Sequence, residues 1–538
     1  MESWFDAIEQ TETPTEYDVI QAFADDQIIL LTGKSLNNIE TKWDKIWTAC
    51  EQWAKTYKLN YNRDKTEVMF IPHKPTRPPR IRINDKIITP SDNLKYLGLT
   101  FDTGLLWLDH VKINRQKAAD IGHKLFIIAG KDWGRTPKIL KAIYERAIKP
   151  MLLYGAEIWG NRAKDTRIAK QLAAAERPFL RAITRAYKTA PTSALHILAG
   201  TTPLSVDAFA IHKTYTDNKD TITGLKLKTS DIPHPTNKII KTAQDIESPD
   251  IKIYTDASIK THNNTTSKTI GIYIEKPINT IRINRKIDTT ENINNLEAIA
   301  LETGTDIITQ NIHEHTNKNI IFHTDSTALL MQLENGNNRN KTIKIKKNLE
   351  KMTDHHIKYN ITKINRNDTG HKIAHNLAKT AHTNPQDTIH ITTKQDIKAT
   401  RQNIQLNTWQ QHWDSTDKGR KTYNIIKNVK LAEPTYTWKT IQLLTGHGHM
   451  QGYYHRFNLR DTDGNCQHCK VPEDQHHIIN TCTITQRQTA RQTLTQRLTQ
   501  KQMTYPPTNI DITDKEITLW INEWGEDMIL DDEDTQDT

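Results

Sequence analysis

Three acidic residues stand in an order that could do chemistry. Asp256 lies in Ile253-Tyr254-Thr255-Asp256-Ala257-Ser258, an apolar-to-polar run of strand character. Glu297 sits in the helix-like stretch Leu296-Glu297-Ala298-Ile299-Ala300, and Asp325 closes the strand-like run Ile320-Ile321-Phe322-His323-Thr324-Asp325. Two carboxylates at strand ends and one on a helix can converge on a pair of divalent metals and cut a phosphodiester bond. Two-metal sites hold their ions roughly 3.5–4 Å apart and stabilise both the attacking and the leaving oxygen. Any one of these acids alone reads as a strand-end or surface carboxylate. The ordered set of three argues against that for all of them together.

A second constellation is Cys466-x2-Cys469-x7-His477-x4-Cys482. A paired-thiolate turn followed by a His and a Cys a little over one helical turn apart can close a tetrahedral Zn²⁺ shell. His476 is a rival ligand but leaves five residues before Cys482. No open coordination position is implied, so the spacing predicts a structural ion. A third feature is the turn Ala24-Asp25-Asp26, which puts two acids at a hairpin tip between the strand-like runs Tyr17-Asp18-Val19-Ile20-Gln21-Ala22-Phe23 and Gln27-Ile28-Ile29-Leu30-Leu31.

The elements that must position these residues follow from periodicity. After Gly33 an amphipathic helix carries Ile39, Trp43, Ile46, Trp47, Cys50, Trp53 and Tyr57 at three- and four-residue steps, a stripe that reads as core, with Cys50 as a small buried hydrophobe. The pattern divides the chain into a first region over 1–109, a helical region over 110–224, and a polar, proline-containing linker over 225–250. An α/β domain over 251–382 follows, then a second linker over 383–400 and a Trp- and Gln-rich helical tail over 401–538. The expected fold class is therefore multidomain, α+β and α/β. The acidic end Asp531-Asp532-Glu533-Asp534 reads as a solvated tail.

These motifs together resemble the C-terminal part of a non-LTR retrotransposon polyprotein of the jockey, I and R1 groups. Phe23-Ala24-Asp25-Asp26 resembles the catalytic aspartate motif of reverse transcriptases. Leu59-Asn60-Tyr61-Asn62 through Lys65-Thr66-Glu67-Val68 resembles the next palm motif, and Tyr96-Leu97-Gly98-Leu99-Thr100-Phe101 the primer-grip hairpin. Pro150 with Tyr154-Gly155-Ala156-Glu157-Ile158-Trp159, and Ala199-Gly200-Thr201-Thr202-Pro203-Leu204, resemble the thumb. The resemblance implies a palm remnant with Asp25 and Asp26 as metal ligands and Lys65 as a proton donor to pyrophosphate, then a helical thumb over 110–224. It makes 251–382 a ribonuclease H domain with a mixed sheet and flanking helices, and the tail a zinc-binding element. Only 22 residues precede Phe23, and the two aspartates among them, Asp6 and Asp18, lack the setting of the family's third polymerase acid. The expectation is a truncated palm that does not polymerise.

By the same resemblance Asp256, Glu297 and Asp325 are catalytic ligands of Mg²⁺ or Mn²⁺, cutting RNA in RNA–DNA hybrids. The family's fourth acid falls in Gly370-His371-Lys372-Ile373-Ala374-His375-Asn376-Leu377-Ala378. His375 stands where an Asp is usual and His371 where an Asn is usual. Mg²⁺ prefers hard oxygen ligands, and imidazole suits softer metals. Asp368, in the loop just before, is an alternative fourth acid. Two classes of function stay open: a metal-dependent nuclease, and a catalytically inactive nucleic-acid-binding remnant.

The 538 residues are too many for one core. Lys+Arg 73 against Asp+Glu 63 gives a formal charge of +10, which suits RNA, DNA or hybrid partners better than an acidic small molecule. No run approaches 18 uninterrupted apolar residues, and the first residues lack the layout of a signal peptide. Four cysteines, three of them clustered, speak against a disulfide scaffold. The chain is thus expected in the nucleus or cytoplasm, neither secreted nor membrane-spanning; nothing in it speaks to oligomeric state.

Overall fold

The computed structural model describes residues 2–11, 13–16, 18–72, 75, 77, 79–83, 86–127, 136–219, 246, 248–262, 265–289, 291–334, 340–390, 392–433 and 435–530. The linker over 225–250, except 246 and 248–250, and the acidic end lie outside them. The chain divides into two compact units, Met1–His212 with Gln405–Thr538, and Lys213–Ile404. Among the described residues no single helix is long and apolar enough to cross a membrane.

In the first unit, β1 (Val19–Phe23) and β2 (Asp26–Leu30) form an antiparallel hairpin whose tip residue Ala24 takes a φ of 53°. The helix Leu36–Thr56 begins at Ser35, whose side chain accepts from the Asn38 N–H. It packs Ile46 and Cys50 with Trp4 and Ile8 into a small core. Burial pushes the Cys50 thiol up, as a small core side chain requires. Short antiparallel pairs follow, β3 (Arg82–Ile83) with β4 (Lys86–Ile87) and β5 (Asn93–Tyr96) with β6 (Leu99–Asp102).

A larger core joins the helices that follow to the C-terminal segment. Trp159, Leu180 and Leu195 share it with Trp409, Trp413, Leu443, Leu494 and Trp524. Lys141, buried, donates to the carbonyls of Gly200 and Ala432, and Thr189 Oγ1 lies 2.9 Å from Tyr453 OH. The described residues of 110–212 and of 405–530, which sequence pattern places in separate regions, thus share one core. Amphipathic spacing tells which face of a helix is buried but not which segment covers it.

The second unit is built on a six-stranded mixed sheet. Its strands are β7 (Ile251–His262), β8 (Thr265–Glu275), β9 (Thr280–Asp288), β10 (Asn319–Thr324), β11 (Lys358–Lys363) and β12 (Asp387–His390), in the order β11-β10-β7-β8-β9-β12. The first three form an antiparallel meander; β10 and β11 run parallel beyond β7, and β12 runs parallel to β9. Isoleucines dominate the core at positions 251, 253, 270, 272, 274 and 320. This is the mixed sheet with flanking helices that the sequence leads one to expect.

The strand β12 lies in the stretch read as a linker over 383–400. Its four residues, Asp-Thr-Ile-His, lack apolar alternation because it is a solvent-facing edge. The backbone carries it instead: Gln386 N–H donates to the Asn284 carbonyl at 3.0 Å, and the Gln386 side chain accepts from Asn284 N–H at 3.1 Å.

Alternation along β7 sends Ile253 and Thr255 toward the helix Ile293–Gln310, and Tyr254 and Asp256 toward the helix Thr369–Thr380. Two glycines let the latter helix come close. A Cβ on Gly271 would stand 2.1 Å from the Ala374 carbonyl oxygen, and one on Gly370 would enter the Tyr254 ring.

Candidate active site and metal centres

Asp256 is on β7, paired with Gly271, and is 4% exposed. Asp325 directly follows β10, the strand beside β7. Glu297 is on the first turns of the helix Ile293–Gln310, buried, with Oε1 accepting from the Ala257 N–H at 3.2 Å and Oε2 buried without a partner. Burial, and then the charges of Asp256 and Asp325, push its carboxyl up to about 9. Burial also raises Asp256, against the opposing pull of His375 and His371.

The helix Thr369–Thr380 supplies the other side of the site. Its N-cap is Asp368, whose carboxylate accepts from Gly370 N–H at 2.8 Å and His371 N–H at 3.3 Å. Asp368 is therefore engaged as a cap, the role its position just before the helix favours. His375 Nδ1 lies 3.0 Å from Asp256 Oδ2, with its side chain 43% exposed. His371, one turn earlier and fully buried, places Nε2 3.9 Å from both Asp256 Oδ1 and Asp325 Oδ2. Donor atoms of Asp256, Asp325 and His371 all lie within 4.8 Å of one another.

Sequence reasoning missed two participants. His371 stood in view as a departure from the family pattern, but nothing in one sequence tells which of two histidines faces the carboxylates. Arg366 had no motif to announce it: Nε donates to Asp325 Oδ2 at 2.9 Å while the side chain stays 84% exposed.

The donor set suits a divalent cation. Two buried carboxyl groups, one of them held neutral, beside the partly buried Asp325 are an arrangement a cation relieves, and Glu297 Oε2 and His371 Nδ1 are buried without hydrogen-bond partners. The two imidazoles, however, are poor partners for Mg²⁺.

In the tail, Cys466, Cys469, His477 and Cys482 place one donor atom each within 4.8 Å of one another. Cys469 Sγ and Cys482 Sγ are 3.9 Å apart, close to the tetrahedral edge of about 3.8 Å that Zn–S bonds of about 2.3 Å would give. His477 is buried, its Nδ1 is 3.0 Å from Thr481 Oγ1, and its Nε2 is buried without a partner; His476 is exposed. Burial lowers the His477 pKa, favouring the neutral imidazole a metal needs. Arg487, unforeseen, donates Nη1 to Cys482 Sγ at 3.3 Å and Nε to the Met528 carbonyl at 3.0 Å.

At the hairpin tip Asp25 and Asp26 are exposed, and Lys65 ends the short turn Arg63–Lys65, also exposed. Among the described residues neither aspartate belongs to a group that could hold a metal. Asp18 lies at the base of the hairpin. Although burial opposes it, Lys42 at 2.6 Å and the Thr15 and Thr32 N–H groups hold its carboxyl below the usual range.

No family model matches the chain. It is similar to a putative 115 kDa protein in the type-1 retrotransposable element R1DM of Drosophila melanogaster, 28% identical over 192 residues, covering 36% of this chain and 19% of the relative. It is 28% identical over 204 residues to a Pol polyprotein from the R1 4 element of Nasonia vitripennis, covering 34% and 51%. With the RNA-directed DNA polymerase from the mobile element jockey of D. melanogaster it shares 26% over 156 residues, covering 29% and 17%. The chain thus spans about half or less of the length of these relatives. Among solved structures, prototype foamy virus protease-reverse transcriptase aligns with a TM-score of 0.21 and 16% identity, covering 30% of this chain and 23% of that one. Ribonuclease H1 of Halobacterium salinarum aligns with a TM-score of 0.20 and 18% identity, covering 24% and 96%.

The relatives named here are proteins of retrotransposable and mobile elements. Pol polyproteins and RNA-directed DNA polymerases of R1- and jockey-type non-LTR elements recur among them, consistent with one another at low identity.

Proposed function

We propose that the unit Lys213–Ile404 is a metal-dependent ribonuclease that hydrolyses RNA in RNA–DNA hybrids, and that the helical unit carries a structural Zn²⁺ in its Cys466, Cys469, His477, Cys482 shell. One observation carries the nuclease reading: Asp256 and Asp325, on and just after two adjacent parallel strands, bring donor atoms within 4.8 Å of each other and of His371, and the buried Glu297 of the neighbouring helix feels both of their charges. A divalent cation bound there would activate water and neutralise charge on the phosphate. Asp256 and Asp325 would hold it, and Glu297 beside them would add a further negative charge once its proton is lost. His375 fixes the Asp256 carboxylate through its 3.0 Å contact. Arg366, at the rim, can reach a backbone phosphate while keeping Asp325 oriented.

A second reading has its own support: Arg366 already offers positive charge to Asp325 and His375 already occupies an oxygen of Asp256, as in a binding remnant without turnover. Cleavage of a labelled hybrid in Mg²⁺ and in Mn²⁺, with Asp256→Asn as the control, separates the two. Cutting that disappears in the variant supports the nuclease; a silent wild type in both metals, with the hybrid still bound, supports the remnant.

A further inference from the structure

The 3.9 Å separations of His371 Nε2 from Asp256 Oδ1 and from Asp325 Oδ2 are too long for hydrogen bonds. They fit donors that sit about 2.0–2.2 Å from a shared ion, which can be as far as about 4.4 Å apart. The ring has little freedom to do otherwise. Its residue is tied by the Asp368 cap, the neighbouring Gly370 lies against the Tyr254 ring, and the side chain is fully buried. Its other nitrogen, Nδ1, meets no partner.

We propose that His371 Nε2 is a direct metal ligand, and that with Asp256 and Asp325 it makes a mixed nitrogen–oxygen site taking a transition-metal ion such as Mn²⁺ in preference to Mg²⁺. The proposal rests on the reading that this cluster holds a divalent cation, not on that cation being used to cut RNA. Mg²⁺ demands near-octahedral oxygen donors and gives up water reluctantly, whereas imidazole is a ready ligand for first-row transition metals. His375, hydrogen-bonded to Asp256 Oδ2, orients that carboxylate from outside the ion's shell, as outer partners do at metal sites.

Mn²⁺ binding to the full chain, with its tail saturated in Zn²⁺, tests this by calorimetry and by electron-spin-echo detection of ¹⁴N coupled to bound Mn²⁺. Wild type should bind Mn²⁺ on the order of tenfold or more tighter than Mg²⁺ and show an imidazole nitrogen. His371→Asn should lose that nitrogen signal and His375→Asn should keep it; His371→Asp should narrow the Mn²⁺ over Mg²⁺ preference. The wild-type spectrum needs no variant to fold. Bound Mn²⁺ without nitrogen coupling, a signal lost in His375→Asn rather than His371→Asn, or equal affinity for the two ions would overturn the proposal. Hybrid cleavage, measured separately, reports on the nuclease reading alone.

Discussion

His375 Nδ1 and Asp256 Oδ2, 119 positions apart in the chain, meet at 3.0 Å across the face of the mixed sheet. The contact exists because Gly271 admits the helix Thr369–Thr380 close to β8. It gives the central carboxylate of the site a partner that can be exchanged for an acid.

His375→Asp adds a hard oxygen beside Asp256 and is expected to raise Mg²⁺-supported hybrid cleavage on the order of tenfold. Asp256→Asn should abolish cleavage in Mg²⁺ and Mn²⁺ alike. Single-turnover rates check both, and an active wild type whose Mg²⁺ rate is unmoved by His375→Asp contradicts the first.

Glu297 makes the metal-free sheet unit sensitive to pH. Its folded pKa of about 9 lies above the ordinary value of 4.5, so the folded state keeps a proton that the unfolded chain releases. Its contribution is complete below about 4.5 and is lost as pH rises toward 9, by at most about 1.4 kcal/mol per pH unit. In chelator the unit should therefore be less stable at pH 8.5 than at pH 6, and Glu297→Gln should flatten the profile. No tryptophan falls between residues 213 and 404, so urea melts followed by hydrogen exchange of that unit are the measurement. An identical slope in the variant would count against this assignment.

Removing zinc should loosen the other unit. Ile478 and Ile479, between the His477 and Cys482 ligands, belong to the core that also buries Trp409, Trp413 and Trp524. Apparent binding energies of structural zinc sites run about 10–16 kcal/mol. Cys469→Ser should abolish stoichiometric zinc and red-shift tryptophan emission, leaving exchange protection of the sheet unit unchanged. One zinc per chain surviving in Cys469→Ser would refute the ligand set.

Primer extension is expected to fail. Asp25 and Asp26 are exposed at a hairpin tip, and Asp18 is committed to Lys42, Thr15 and Thr32. Template-dependent incorporation lost in Asp25→Asn would show that a third acid is reached after all.

Hybrid binding should weaken by at least about tenfold between 50 and 200 mM salt, since several phosphate contacts release counterions. Hybrid should also outcompete B-form DNA, because ribose 2′-hydroxyls are there to be read. Titrations that are flat with salt and blind to the duplex type would remove the support for a nucleic-acid partner.

Asp256, Glu297 and Asp325 were legible in sequence because each sits at a point that local periodicity defines: a strand, a helix start, a strand end. The Cys466–Cys482 spacing was legible for the same reason, since metal geometry restricts the gaps between ligands. Arg366 and His371 were not, because a loop arginine and one of two histidines a turn apart gain meaning only when the helix docks. β12 escaped because an edge strand held by backbone pairing to Arg285–Asp288 of β9 needs no apolar pattern. The shared core of Leu180, Leu195, Trp409 and Trp524 escaped because helical stripes carry no address.

That shared core has a consequence for synthesis. The chain emerges from the ribosome N-terminus first, so Trp159, Leu180 and Leu195 appear well before Trp409, Trp413 and Trp524, which complete their packing. The unit Lys213–Ile404 is made in between and can close its sheet while its neighbour still waits. Folding order here cannot follow chain order. A nascent or truncated chain that stops before Gln405 would display an unfinished apolar surface, the kind that chaperones hold and proteases find.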